Sequence, residues 1–381
     1  MRLRNGLRVV RRGPTEVQLG TDHRWAVRVD GLCADEAAAL ARLGDGANPG
    51  ALAADDRLDA RRLAALVTQL DEAGLLERRA VRSLAGPPGV DARVLGLVHP
   101  DGDAAATVGA RAGRSVGVVG LGATGLAVAV QLALAGVGRI TLEDTRTVRS
   151  GDVGPHGYGW SDIGHPRLDA AARVLDAASP TTTTSTSSDV DVLVVVSDDV
   201  IDPALPARLV NRGVAHLSVV LREADAVVGP FVVPGAGPCL RCLDLHRTDA
   251  DPAWPVMATT LAAAARRGST PPPEPIAVVS VAAGLAVAAV LAHLDDTPVD
   301  AATAGPPSAD VPRRAHRLRG VTLELGLPDA VPRERRWAAH PACGCTAHLS
   351  TDPASTGRRL MPPGSCADVP DHASSRPPSR R

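Results

Sequence analysis

The chain has 381 residues, with 41 basic and 42 acidic side chains and a net charge of −1. That is length enough for two domains, and it carries no basic excess of the kind that marks a nucleic-acid binder. With one Phe, one Tyr and four Trp, the core must be built from Ala, Val and Leu. The opening MRLRNGLRVVRRG has arginines but no apolar run, so a secretory signal is not expected and the cytoplasm is.

Alternation is loose over residues 5–30, partial in TEVQLG (15–20) and clean in WAVRV (25–29), which predicts a strand pair. Residues 34–43 predict a short helix with Asp35 in its first turn. A second helix is predicted over 60–73, where Leu63, Leu66, Val67 and Leu70 recur at helical spacing before Gly74 stops it. These elements describe a small winged-helix-like domain over residues 1–83, a candidate for binding a peptide. Residues 84–113, with GPPG at 86–89 and DGD at 101–103, read as a linker.

The next segment is the most informative. A short apolar strand over 114–119 runs into Gly120-Leu121-Gly122-Ala123-Thr124-Gly125, then a helix over 126–136, then a second strand over 139–144. In this arrangement Gly120 makes a tight turn, Gly122 lets the backbone approach a phosphate and Gly125 lets the helix pack against the sheet. The helix N-terminus offers free amides to an anion. Asp144, 19 residues beyond Gly125, falls where a ribose-binding acid belongs.

A helix is predicted over 165–178 and a poorly packed strand or loop at TTTTSTSS (181–188). Apolar strands follow at 191–197 and 215–221, with a further extended segment at 226–234. Such runs between helices imply an α/β, Rossmann-like fold: a mostly parallel sheet with helices on both faces. Residues 240–268 carry helices and STPPPEP (269–275) a loop. Residues 276–294 are apolar over a length that could span a membrane, but they are Ala-rich and interrupted by Ser280 and His293. A buried helix is expected there, and no membrane partner. A last strand covers 320–326, the α/β domain is bounded at 114–348, and 349–381 lacks apolar periodicity and reads as a disordered tail.

Cys239 and Cys242 form a CxxC, and Cys343 and Cys345 a CxC. Two such hooks match a closed structural zinc site, with a redox CxxC or unrelated buried thiols as the alternatives. Cys33 reads as a core thiol, and Cys366 has no evident partner.

The glycine turn, LALAGVGRITLED (132–144), the D-x-x-x-V at 144–148, DIGHPR (162–167) and the two cysteine pairs together resemble the ThiF, MoeB and E1-like superfamily of ATP-dependent adenylating enzymes. A narrower likeness is to the ThiF-like cyclodehydratase-domain and leader-peptide-binding proteins of azole-peptide (RiPP) biosynthesis. It rests on VVGPFVVPGAGPCLRCLDLHRTDADPAWP (227–255) and WAAHPACGC (337–345). The resemblance implies ATP with Mg2+, zinc on the four cysteines, a ribosomal precursor peptide or small carrier protein as partner, a YcaO-like partner enzyme and a homodimer. Gly120, Gly122, Gly125, Asp144 and Arg146 would then bind nucleotide, and Arg167 and Asp198 would be catalytic. The chain departs from the adenylating pattern at several places. Arg146 stands at the second acid, Asp152 at the asparagine, Pro155 at the phosphate-binding arginine and Arg167 at the lysine.

Three functions compete at this stage. The first is a protein that binds a precursor peptide and presents it to a partner enzyme, with a degenerate adenylation site. The second is an active ATP-dependent adenylyltransferase of a peptide or protein C-terminal carboxylate. The third is an NAD(P)-dependent oxidoreductase, which the glycine motif alone permits. For that one no catalytic Tyr-Lys or His pair is evident, the sole tyrosine being Tyr158.

Overall fold

The computed structural model describes residues 2–4, 6–23, 26–44, 59–77, 83–98, 103–155, 157–185, 189–297 and 318–345. Trp25, Cys366 and the tail expected at 349–381 lie outside them.

The N-terminal part is a winged-helix-like subdomain. Strands β2 (Val9–Arg11), β3 (Val17–Leu19) and β4 (Val27–Val29) form an antiparallel sheet, while β1 (Arg2–Leu3) pairs with β5 (Leu76–Glu77). Helices α1 (Ala34–Gly44) and α2 (Ala60–Glu72) pack on these strands. The apolar face of α2 puts Leu63, Leu66 and Leu70 into a core with Leu3, Val17, Leu19 and Leu40, and Val67 lies half-buried at its margin. Asp59 starts α2 by accepting from the amides of Arg61 and Arg62. Glu36 then joins α1 to α2 through Arg62, at 2.7 and 3.0 Å. Cys33, expected in the core, is exposed. The inward position belongs to its neighbour Leu32, and Cys33 opens α1 with its amide on Glu36 Oε2, at 2.8 Å.

The segment expected as a linker carries two helices, α3 (Gly86–Val98) and α4 (Ala105–Ala110). Its prolines misled the sequence reading because they stand in the first turn of α3, where a missing amide costs no helical hydrogen bond. Asp103, at the end of the DGD expected in a linker, accepts from the amide of Ala105 at the start of α4, at 2.8 Å. Arg4 of the N-terminal subdomain donates to the carbonyls of Gly96 and Leu97. On the other side, Asp91 of α3 pairs with the buried Arg111 at 2.7 Å. Arg111 also grips Asp295 through two bonds (2.8 and 2.7 Å) and donates to Ala135 O. The segment is a wedge bonded to both of its neighbours.

The larger part holds an eight-stranded sheet in the order β13-β12-β11-β10-β9-β6-β7-β8. Strands β6 (Ser115–Val119), β7 (Arg139–Glu143), β8 (Thr183–Ser185), β9 (Val192–Asp198) and β10 (Ala215–Leu221) run parallel. Strands β11 (Asp225–Val232), β12 (Val321–Gly326) and β13 (Pro332–Arg336) add antiparallel pairs. Helices α5 (Ala123–Leu134) and α6 (Arg167–Ala178) connect β6 to β7 and β7 to β8, moving one way along the sheet. Helix α7 (Leu205–Asn211) connects β9 to β10, moving the other way. Right-handed crossovers therefore put α5 and α6 on one face and α7 on the other. β13 escaped the sequence reading because PRERR has no apolar alternation. It is an edge strand whose residues are all exposed, and charge suits an unpaired edge. After α8 (Leu240–Ala250) and α9 (Trp254–Arg266) comes α10 (Ile276–Asp296). It is long and apolar enough to cross a membrane by length and composition, yet it packs along α5 and β11. Ala282, Ala283 and Ala286 are fully buried, and their small side chains allow that close approach.

Candidate functional site

Because β6 leads toward β7 and β9 leads toward β10, the carboxyl ends of β6 and β9 flank a crevice at the switch in strand order, where α/β sheets bind ligands. Gly120 follows β6 with φ +83, and a Cβ there would lie 2.2 Å from Val196 O. A Cβ on Gly125 would lie 1.8 Å from Gly120 O, so the start of α5 sits directly on the turn. Gly122 faces outward into the crevice, where a Cβ would meet Glu274 Oε1 at 2.2 Å.

Asp144, Arg146, Asp152, Arg167 and Asp198 come into one network on this edge. Asp144 Oδ2 accepts from the amide of Leu121 (2.8 Å) and from Arg167 Nη1 (3.1 Å), and its Oδ1 accepts from the amide of Arg146 (2.8 Å). Arg167 also grips Asp152 Oδ2 at 2.6 and 3.1 Å. Arg146 spans Asp144 and Asp198, reaching Asp198 Oδ2 at 2.6 Å. The Asp144 and Arg167 side chains are almost wholly buried, at 3% and 1% exposure, so each depends on the other's charge. Burial pushes the Asp144 carboxyl up, but Arg146, the two amides and Arg167 outweigh it and hold it below the usual carboxylate range. The departures from the family pattern compensate one another: the acid at the asparagine position, Asp152, is the partner of the arginine at the lysine position. The chain contains no lysine, and all 41 of its basic residues are arginine. The arginine at 167 therefore follows a bias of the whole chain.

Tyr158 supports the same turn. Its buried hydroxyl donates to Leu121 O at 2.8 Å and lies 3.3 Å from Arg167 O. Burial raises its pKa, and its contacts with two backbone carbonyls make it a brace of the turn.

Glu274, in the STPPPEP segment expected as a loop, completes the site. Its Oε2 accepts from the amide of Thr124 at 2.7 Å and its Oε1 from that of Ala123 at 3.2 Å. These are amides of the first turn of α5, which have no partner within the helix. A signal was available: Glu274 stands between two prolines and is the only acidic residue between Asp251 and Asp295. With Asp152, Gly154, Pro155 and Ser280 it lines a cavity beside the turn.

At the antiparallel end of the sheet the two cysteine hooks meet. Sγ–Sγ distances are 3.5 Å for Cys239–Cys343, 3.4 Å for Cys242–Cys345 and 3.9 Å for Cys239–Cys242, and all four sulfurs lie within 4.8 Å of one another. A disulfide would need about 2.05 Å. A zinc–sulfur bond of about 2.3 Å gives a tetrahedral edge of about 3.8 Å, so the set fits a structural four-cysteine zinc site. Burial raises the thiol pKa of Cys343, and that of Cys345 to about 11, so a cation would stabilise the four thiolates. The flanking residues are joined too. His246 of α8 bonds Ala338 O (3.0 Å), Asp249 bonds His340 (2.9 Å), and Arg247 lies over the rings of Trp254 and Trp337. His340 Nδ1 accepts from the amide of Ala342, which puts the ring proton on Nε2, toward Asp249. This trio is a hydrogen-bonded brace for the hook.

A nucleotide-type crevice at the switch point and a four-cysteine hook at the antiparallel end define an E1-like α/β protein. The ThiF family model matches residues 110–312, and the chain belongs to the ThiF family. Among solved structures it is similar to MccB from E. coli determined with ATP (TM-score 0.64, 15% identity, covering 91% of this chain and 99% of that one). It is similar also to the microcin C7 biosynthetic enzyme MccB in complex with N-formylated MccA (0.63, 14%, 91% and 99%). A third is PaaA (0.61, 16%, 87% and 98%). These likenesses establish a shared fold. Comparison with curated proteins finds no match.

Proposed function

We propose that this chain is an ATP-dependent adenylyltransferase that activates the C-terminal carboxylate of a ribosomal precursor peptide or small carrier protein in the cytoplasm. One observation carries the reading: the amides of Ala123 and Thr124 hold a pair of carboxylate oxygens at 3.2 and 2.7 Å. The seat at the glycine turn therefore has the donors an anion such as a polyphosphate needs. Membership of the ThiF family supports it, as does the shared fold with MccB, which was solved with ATP and with MccA. Asp144 would bind the ribose, Asp198 would hold Mg2+, and Arg146 and Arg167 are the cations available to the transferring group. In the step, an oxygen of the substrate carboxylate bonds to the α-phosphorus. The bond from that phosphorus to its bridging oxygen breaks, and pyrophosphate leaves with the electron pair.

In this reading residues 1–83 hold the peptide, residues 114–348 the nucleotide and zinc, and the segment between them couples the two. A YcaO-like enzyme and a second copy of the chain are further partners the reading admits. The competing reading, a chain that only presents the peptide, is favoured by the pairing of Arg146 and Arg167 with aspartates. Isothermal titration with MgATP separates them: saturable binding that Asp144→Ala abolishes is expected. Pyrophosphate exchange should then depend on an added precursor peptide with a free C-terminal carboxylate. Binding without exchange would leave the presenting role, and a failure to bind MgATP in any form of the chain would end the adenylation reading.

A further inference from the structure

We infer that Glu274 is an intrachain latch: its carboxylate occupies the anion seat on the glycine turn, and nucleotide must displace it to bind. The inference rests on the nucleotide-binding reading above. Both carboxylate oxygens are engaged by the amides of Ala123 and Thr124. Gly122 leaves no atom between turn and carboxylate, since even a methyl group there would overlap Oε1. Two amides cannot serve a glutamate and a phosphate at once, so the two anions compete for one seat.

Two further features separate a latch from an ordinary helix cap. First, the hydroxyl of Thr124 is buried beside the same carboxylate and makes no hydrogen bond of normal geometry. A planar carboxylate saturates the two amides and leaves this third donor unmet. A tetrahedral phosphate has the extra oxygen to take it. Second, the carboxylate is poorly compensated. Burial pushes the Glu274 pKa up, its contacts with Thr124 pull it back only in part, and the nearby Asp152 opposes its charge. Arg167, the cation that acts on it, is bonded to Asp152 and Asp144. A half-buried anion held chiefly by two amides, next to another anion, is bound less firmly than an ion pair would be.

The chain also provides a strap that could carry the carboxylate away. Glu274 lies between Pro273 and Pro275, in the segment joining α9 to α10. Gly268 takes φ +81 where α9 ends, and Pro275 caps the start of α10. Prolines stiffen the stretch between these points, so displacement would move it as a unit about Gly268. The cavity bounded by Asp152, Gly154, Pro155 and Ser280 opens beside the carboxylate.

The test is isothermal titration of the full chain with MgATP, for the wild type, Glu274→Ala and Glu274→Gln. Hydrogen exchange at the Ala123 and Thr124 amides provides a second readout. Removing the competitor should tighten MgATP binding by on the order of tenfold in Glu274→Ala, the worth of one charge-assisted hydrogen bond. The isosteric Glu274→Gln, which keeps the shape and loses the charge, should fall between. Without nucleotide the two amides should exchange faster in Glu274→Ala than in the wild type, and MgATP should restore their protection. If the wild type binds MgATP and both variants bind it equally or more weakly, the latch is overturned while the nucleotide reading stands. If none of the three binds MgATP, both fall together.

Discussion

The zinc hook and the glycine-rich turn are both closed clusters built from segments far apart in the chain, but they are closed by different means. At the hook, four sulfurs of one kind converge at distances that fit a metal ion. Sequence spacing alone pointed to the ligand set, because coordination chemistry demands those atoms. At the turn, charge is balanced locally by Arg146 and Arg167 against Asp144, Asp152 and Asp198, and the last seat is filled by Glu274 from about 150 residues away. The hook is therefore a fixed bond, whereas the turn is an arrangement of exchangeable partners. That difference suits a brace at one end of the sheet and a ligand site at the other.

The contrast can be broken at either region. The largest effect is expected at the hook. Structural zinc contributes on the order of 10 kcal/mol of binding free energy in small metal-dependent domains. Cys239→Ser combined with Cys343→Ser should lower zinc from about one ion per chain to near none by elemental mass spectrometry, and should expose residues 337–345 to protease. MgATP affinity should change by less than about threefold (about 0.65 kcal/mol). A larger loss would mean that the two regions are coupled.

Next comes the core of the charge network. Arg167→Ala leaves Asp152 and Asp144 buried and short of a cation, and should cost about 3–5 kcal/mol in urea unfolding. Arg167→Lys should recover only part of this, because an ammonium cannot reproduce the guanidinium's fork. If the alanine variant is as stable as the wild type, the network is not a closed unit. Arg111→Ala tests the wedge between the two folded parts. It should cost about 3 kcal/mol and loosen residues 86–113 to hydrogen exchange.

The smallest effect belongs to the N-terminal subdomain. Arg62 beside Glu36 lowers the Glu36 carboxyl pKa to about 2. A depressed carboxyl contributes stability that is fully present above its unfolded value near 4.5 and is lost as pH falls through about 2. Arg62 is well exposed, so solvent screening keeps the contribution small. Glu36→Gln should flatten the acid dependence of unfolding across that window, and an unchanged acid profile would show that the pair contributes nothing.

Several features could be read without the structure. Periodicity gave the inward face of α2 and the strands β9 and β10, and glycine spacing gave the strand-turn-helix at 115–134. Each is a local property: a helix or a buried strand needs only its own residues in the right rhythm. The wedge at 84–113 and strand β13 were hidden for the same reason turned around. Prolines in a first turn look like a loop, and a charged edge strand has no rhythm, so only their neighbours make them elements.

The sequence by itself determined the class of fold and the four cysteines that come together, because those depend on spacing and on the chemistry of single residue types. The tertiary structure alone decided how the charges pair and what sits on the glycine turn. Asp152 joins Arg167, Arg146 bridges Asp144 and Asp198, and Glu274 takes the free amides of α5. Those outcomes depend on which groups the folded chain brings within about 3 Å, and spacing along the chain does not carry that information.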